Sequence, residues 1–472
     1  MYLWIVAAVL LVIIILNLFN KIHVVHPVII ALYLPFAVNI PLLVGLLLHF
    51  YGTSHIVVMI VLGIESLYFW VRMNIFPIYD NVKMGLRLKA LAGARPIAAA
   101  SIYISIFQLI FLIFFFNAFK YMGISSYFLI ANIIYSICCC LVLFLNGTLR
   151  AFICSRRLGV VRRVVLLFTM WIPVLNWIIW ATSSHLIKQE YSQARERIIW
   201  EETIPENDNC RTKYPILMVH GVGFRDLQMY NYWGRIPRFL KRFGADLHYG
   251  NQEGLATIEQ NGEYIKKRIE EIIIETGAEK VNIIAHSKGG LDARYAISSC
   301  GMGDKVASLT TMNTPHHGCK FADVAYKKVK GRIYNRLSKI GDTAFRIYGD
   351  VNPDFYNTMI QFRTSDSEEF NNNNPDHPGI YYQSYMSVMK KAKSDSTLSI
   401  PFMLIKHLGE ENDGLVSISS AQWGEFRGVF RNKNVRGISH ADIIDLHRED
   451  IKGFNVFEVY INLVSELKTK GF

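Results

Sequence analysis

The chain has 472 residues, about three times the ~150 of one ordinary domain, of which 51% are hydrophobic and only 19% charged, with a mean hydropathy of +0.23. That balance excludes a disordered chain and argues against a wholly soluble one. The net charge of +12 does not mark a nucleic-acid binder: residues 1–183 hold 12 Lys/Arg against two acids, Glu65 and Asp80, while the remainder nets only +2. The basic excess therefore lies in an apolar half, where a membrane accounts for it.

Six stretches near 2–19, 27–49, 55–71, 97–118, 126–146 and 164–183 approach the ~20 helical residues needed to cross a hydrocarbon core. The first lacks a basic leader and a small-residue cleavage site and reads as an uncleaved helix. Lys21, then Arg72, Lys83, Arg87, Lys89 and Arg95, then Arg150, Arg156, Arg157, Arg162 and Arg163 fall on one side of these spans, and Lys120 alone on the other. This asymmetry predicts a multi-pass cell-membrane domain over 1–183 with the basic side cytoplasmic, so that six crossings leave the C-terminal half extracytoplasmic. Glu65 is the only acid within a span; it reads as an interhelical hydrogen-bonding group, with proton relay or headgroup contact as the functional alternative. Four of the seven cysteines fall in this half as small apolar fillers. No Cys/His metal spacing occurs, and Cys300 and Cys319 could pair in an oxidising compartment.

Residues 184–213 interleave charged and apolar positions, the pattern of a polar or interfacial helix leaving the bilayer, and the turn-forming run Pro205-Glu206-Asn207-Asp208-Asn209 closes this juxtamembrane linker. Beyond it, short apolar runs at 215–219, 245–249, 281–285, 306–312, 380–385 and 428–431 alternate with helical periodicity at 260–276 and 456–468. The alternation predicts an α/β unit over 214–472: a mostly parallel sheet with helices on both faces. Residues 319–378 break the alternation with mixed basic, aromatic and apolar positions, an insertion suited to a lid over an apolar pocket. Its Lys327, Lys328, Lys330, Arg332, Arg336 and Lys339 would favour an anionic membrane surface.

The segment that carries chemistry is Val281-Asn282-Ile283-Ile284-Ala285-His286-Ser287-Lys288-Gly289-Gly290. An apolar strand ends in a sharp turn with Ser at its apex and a helix begins at once, the context of a nucleophile elbow, with Ala285 at a position usually held by Gly. An acyl-transfer site needs two donors for the developing oxyanion. The Lys288 N–H at the new helix N-terminus is one, and the Val222 N–H in His220-Gly221-Val222-Gly223, directly after the first strand, is the other. The base and its acid should follow the nucleophile in the order acid, then His. His440, in the loop Ser439-His440-Ala441-Asp442 before the last helix, is placed to be the base. Asp413, in Asn412-Asp413-Gly414-Leu415-Val416, is the acid candidate; on spacing it competes with Glu410, Glu411 and Asp395.

Together with Asn313-Thr314-Pro315-His316-His317-Gly318, Tyr232-Trp233-Gly234 and Pro375-Asp376-His377-Pro378, these motifs resemble the bacterial true lipases, triacylglycerol lipases of the α/β-hydrolase superfamily, over roughly 214–472. The resemblance implies an α/β-hydrolase fold, Ser287, Asp413 and His440 as the catalytic set, Val222 and Lys288 as oxyanion donors, and His316 and His317 as supports. Some such lipases hold a structural calcium through an Asp two residues after the catalytic His, here Asp442; the chemistry itself requires no cofactor. The N-terminal half lies outside the resemblance. The expected function is a membrane-tethered serine hydrolase of lipid esters, with membrane lipids as partners and no nucleic acid. The rivals are a phospholipase or acyltransferase acting on membrane lipids, and a non-catalytic membrane sensor that uses the hydrolase fold to bind ligand.

Overall fold

The computed structural model describes residues 33–75, 82–169, 171–205, 207–224, 231–328, 332–347, 349–434 and 436–472. The chain forms two compact units, Met1–Ile204 and Pro205–Phe472.

In the first unit, the expected span at 2–19 and the start of the one at 27–49 lie outside the described residues; the remainder of the latter ends in the short helix Ile40–Tyr51. Three described helices are long and apolar enough to cross a membrane: Ile56–Ile75, Leu86–Tyr121 and Ser126–Cys154. The stretch expected as a sixth span is not one helix. The helix Val160–Phe168 stops, and a new one, Pro173–Thr203, starts with Pro173 in its first turn, the one place where a missing N–H leaves no helical bond unmade.

The second helix runs on through 184–203, where a polar helix leaving the apolar half was expected, and the units divide at Ile204/Pro205. One of the charges in this stretch is an internal cross-link. Glu190 is buried and accepts hydrogen bonds from Arg87 Nη1 at 2.8 Å, Ser155 Oγ at 2.7 Å, and the backbone N–H groups of Arg156 at 3.1 Å and Arg157 at 3.3 Å. Another polar knot joins Asn39, Gln108 and Asn132, with Asn132 Nδ2 2.7 Å from Asn39 Oδ1. Glu65 is buried, and neither of its carboxylate oxygens meets a hydrogen-bond donor among the described residues, which does not match an interhelical hydrogen-bonding role there. Helices Leu86–Tyr121 and Ser126–Cys154 approach through small residues: a Cβ on Gly147 would lie 2.9 Å from Ala98 N and 3.1 Å from Ala94 O. Where lipid tails are as apolar as the side chains, such close backbone contact is a main source of helix association.

The second unit is built on six strands, β1 (Ile216–Val219), β2 (Leu247–Tyr249), β3 (Val281–His286), β4 (Val306–Met312), β5 (Tyr381–Ser387) and β6 (Glu425–Phe430), in the spatial order β2-β1-β3-β4-β5-β6. Every neighbouring pair is parallel. β1, β3 and β4 are buried along their whole length, as central strands of a parallel sheet covered on both faces are. Helix Ile258–Thr276 begins with a Thr257–Gln260 capping box and ends on Gly277 in the left-handed conformation. Its Ile265, Ile269 and Ile272 pack with Ala293, Ala296 and Ile297 of helix Lys288–Ser298 against Leu217, Val219, Ile283 and Ala285 of the sheet. Full burial of each such isoleucine contributes roughly 1.5–3 kcal/mol. Between β4 and β5 the chain inserts four helices, Lys320–Lys328, Arg332–Ile347, Phe355–Ile360 and Thr364–Asn373. The pairing considered for Cys300 and Cys319 does not form. Both are free thiols, Cys319 turned to the Leu415 carbonyl and Cys300 to Glu263.

The Gly147 contact yields a prediction. Gly147→Leu must push two helices apart and should cost about 1–3 kcal/mol, read as a lower unfolding temperature of the full chain in detergent; an unchanged temperature would mean that this crossing is not tightly packed.

Candidate active site

A parallel sheet puts the carboxyl ends of all its strands on one edge, and the site residues are those that come next in the chain. His220-Gly221-Val222 follows β1, Ser287 follows β3 and Asn313 follows β4. The order reverses between β1 and β3, the switch point where open parallel sheets leave a crevice.

Ser287 sits at φ +55° and ψ −131°, a conformation a side-chain-bearing residue adopts only under constraint. The constraint is visible on both sides. The Ser287 N–H is fixed to the Met312 carbonyl at 3.0 Å, and helix Lys288–Ser298 starts at the next residue. That helix approaches β1 so closely that a Cβ on Gly289 would collide with the His220 carbonyl oxygen, and one on Gly221 would lie 2.9 Å from Ser287 Cβ. The loop after β1 therefore lies directly against the nucleophile candidate. The N–H groups of Val222 and Lys288, the two expected oxyanion donors, bond to no other group among the described residues.

Of the four acids that spacing left open, only Asp413 meets His440. Asp413 Oδ2 lies 2.6 Å from His440 Nδ1, and the His440 N–H donates to the Asp413 carbonyl at 2.9 Å. Glu410 pairs with Lys320, Glu411 forms an exposed pair with Arg431, and Asp395 accepts from Ser439 and His447. The His440 ring lies 4.5 Å, centroid to centroid, from that of His286, the residue before Ser287. Burial, aided by the neighbouring His440, pushes the His286 pKa well below the usual histidine value, so this ring is neutral, with Nδ1 2.6 Å from the Tyr232 hydroxyl.

Two supporting residues escaped the sequence reading. Asn313, at φ +51°, donates to Asp413 Oδ2 at 2.6 Å and to Ser387 Oγ at 2.7 Å, and its Oδ1 accepts the Ser387 N–H at 3.0 Å. Its place at the head of the Asn-Thr-Pro-His motif was the available signal. The second is the side chain of Lys288, assigned from sequence for its backbone alone. It is fully buried and donates to Asp292 Oδ1 at 2.5 Å, while Asn261 Nδ2 reaches Asp292 Oδ2 at 3.1 Å. Burial pulls the Lys288 pKa down and pushes that of Asp292 up. His316 is buried between Thr311 and Arg294, and His317 lies against Trp423.

Asp442 does not fit a cation. Its Oδ1 accepts Arg436 Nη2 at 2.8 Å and its Oδ2 the Ser439 N–H at 2.9 Å, and no group of three or more metal-ligating side chains occurs among the described residues.

Above Ser287 lies a cavity of about 310 Å³ lined by Val222, Pro315, Cys319, Phe321, Ala322, Ala325, Tyr326, Phe355, Met359, Phe362, Leu415 and Val416. Its wall is almost wholly apolar and comes largely from the inserted helices, and its size is at the lower end of the ~300–1,000 Å³ of small-molecule sites.

Comparison with known proteins bears on this site. Residues 215–392 match the family described as palmitoyl protein thioesterase. Triacylglycerol lipase 2 of Saccharomyces cerevisiae is 27% identical over 271 residues, covering 53% of this chain and 77% of that lipase. The triacylglycerol lipase of Pseudomonas fragi is 26% identical, covering 56% of this chain and 99% of its own. That of Vibrio cholerae is 36% identical over 149 residues, but this chain spans only 41% of it. Among solved structures, the lipase BlEst2 of Bacillus licheniformis in its mature form aligns with a TM-score of 0.40 at 23% identity, over 54% of this chain and 92% of that one. None of these alignments covers more than 56% of this chain.

A prediction follows from the Asn313 bridge. A hydrogen bond to a charged group contributes about 1.5–3 kcal/mol, so Asn313→Ala should lower kcat toward a soluble ester roughly ten- to a hundredfold with KM little changed. Wild-type kcat in that variant would remove Asn313 from the machinery.

Proposed function

We propose, from the premise that the second unit is a lipase-family α/β hydrolase and a carboxylic ester hydrolase, that this chain is a membrane-tethered serine hydrolase cleaving long-chain lipid esters. The observation that carries the reading is the apolar cavity opening on Ser287 beside the Asp413–His440 pair.

In this reading Ser287 Oγ attacks the acyl carbonyl while His440 Nε2 takes its proton. Asp413, held by its N–H donors, keeps His440 in the tautomer that leaves Nε2 free and then stabilises the imidazolium. The N–H groups of Val222 and Lys288 receive the oxyanion, the second at a helix N-terminus. The tetrahedral intermediate collapses, the C–O bond to the alcohol breaks, and His440 returns the proton to the departing alkoxide. Water then repeats the sequence on the acyl-serine, releasing the fatty acid and restoring Ser287.

The lid also suits a lipid surface. Residues 320–349 hold eight Lys/Arg against two acids. Lys327, Arg336, Lys339 and Arg346 are exposed, as are Ile340 and Ile347. Lys330 lies outside the described residues. Helix Ser399–His407, which packs on the first lid helix, exposes Ile400 and Met403. Exposed apolar residues among cations are the composition that binds anionic lipid interfaces.

A second reading is favoured by the thioesterase match over 215–392, about two-thirds of the second unit. The same constellation would cleave a long-chain acyl thioester, with a thiolate as leaving group.

The test compares oxygen esters and thioesters of one acyl chain on the full-length protein in proteoliposomes. Ser287→Ala should abolish turnover, long acyl chains should be preferred to short ones, and the rate should rise with the anionic lipid fraction and fall with added salt. Persistent turnover in Ser287→Ala would sink the mechanism, and a strong preference for the thioester would move the second reading ahead.

A further inference from the structure

The loop that carries the general base has an unusual anchorage. Asp442, two residues after His440, is buried, and the Arg436 guanidinium reaches it through Nη2 at 2.8 Å. The other nitrogens of the same guanidinium are also engaged: Nη1 donates to Glu449 Oε2 at 2.9 Å and Nε to the Ser394 carbonyl at 3.1 Å. One side chain thus staples three separate segments, the turn before Asp395, the His440 loop and the stretch leading to the last helix.

The next residue beyond Ser394 continues the clamp. Asp395 is buried, and its Oδ2 accepts Ser439 Oγ at 3.1 Å and faces His447 Nε2 at 3.3 Å. Burial would raise its carboxyl, but hydrogen bonds from His447, Thr397 and Ser439 hold it well below the usual carboxylate range, so it stays ionised. Two buried carboxylates therefore flank the base loop, and both are answered by groups of the chain itself, Asp442 by Arg436 and Asp395 by Ser439 and His447. The loop's backbone is locked as well: Ile438 N–H bonds to the Val388 carbonyl at 2.8 Å and the Asp442 N–H to the Ser439 carbonyl at 3.1 Å.

We propose that Arg436 is the positioning residue of the general-base loop, and that its guanidinium holds Asp442, Glu449 and the Asp395 turn together where a bound divalent cation would otherwise be needed. The planar fork is suited to this, because it satisfies three acceptors in fixed directions, whereas an ammonium acts as a point charge. The inference rests on His440 being the base, as in the function proposed above. Arg436 touches no reacting atom in this role. It acts by keeping His440 Nδ1 on Asp413, a distance of 2.6 Å that loop movement would lengthen.

The experiment uses the full-length protein in detergent micelles, with turnover of a soluble ester and the unfolding temperature as separate readouts. The unfolding temperature and kcat of the wild type should be the same in excess EDTA and in millimolar calcium. A fall in EDTA that calcium restores would overturn the proposal, and the temperature alone decides this arm even if no ester is turned over. Arg436→Met should lower kcat at least tenfold with KM within about twofold, and Arg436→Lys should recover only part of the loss. A kcat equal to wild type in Arg436→Met, or full recovery with Lys, would remove the positioning role. If Arg436→Met does not fold, the isosteric Asp442→Asn is judged by the same kcat criterion. Absence of turnover in the wild type would count against the hydrolase reading; wild-type turnover with an unaffected Arg436→Met would count against this inference alone.

Discussion

A carboxylate with no exposure to water has to be surrounded by donors, and Asp413 is where the second unit meets that constraint. Its Oδ1 accepts the N–H groups of Leu415 at 2.9 Å and Val416 at 2.8 Å, and its Oδ2 accepts Asn313 Nδ2 and His440 Nδ1, each at 2.6 Å. An unpaired charge at such a position would cost several kcal/mol. Four donors satisfy both of its oxygens beside an apolar cavity. The same four contacts join the loop after β4, the turn of Asp413 itself and the loop of His440, so the electrostatic requirement of one group sets the relative positions of three segments.

The Ser287 side depends on distance of approach. Ser287 can sit at φ +55° because β3, the helix behind it and the loop after β1 over-determine the turn. The helix can come that close only because glycine occupies position 289, where any Cβ would meet the carbonyl of His220. Ala285, at the strand position often held by glycine, is fully buried yet accommodated. The strain is thus held by packing on the far side of the turn, leaving the cavity side clear.

Buried charge recurs as a fastening device in both units. Glu190 gathers Arg87, Ser155 and two backbone N–H groups, Asp445 takes Arg235 at 2.7 Å, and Lys288 is neutralised by Asp292 directly beneath the elbow. Each pair is costly to desolvate, and removing one member costs more than the pair itself contributes. Such contacts are directional, unlike the non-directional burial of apolar surface that makes the sheet. They fix loops that hydrophobic packing alone would leave in several positions.

What could be read along the chain was local. The strand, Ser287 and the double glycine are contiguous, so their chemistry was legible without a fold, and the alternation of apolar runs was enough for a parallel sheet because each buried strand needs one. His440 and Asp413 were legible only as candidates, ordered after Ser287 but not tied to it. The structure chose Asp413 over Glu410, Glu411 and Asp395 because the partners lie 27 residues apart and meet only after the strands align their carboxyl ends. Asn313 reaches Asp413 across 100 residues, and Arg436 turns Asp442 from a plausible cation ligand into half of an ion pair. In the first unit, composition revealed apolar length but not that the helix Val160–Phe168 stops and a new one runs from Pro173 to Thr203. Sequence determined what each segment could do by itself, since periodicity, turn chemistry and glycine placement act over a few residues. Tertiary structure decided which charged group met which, because that choice rests on the register of distant segments.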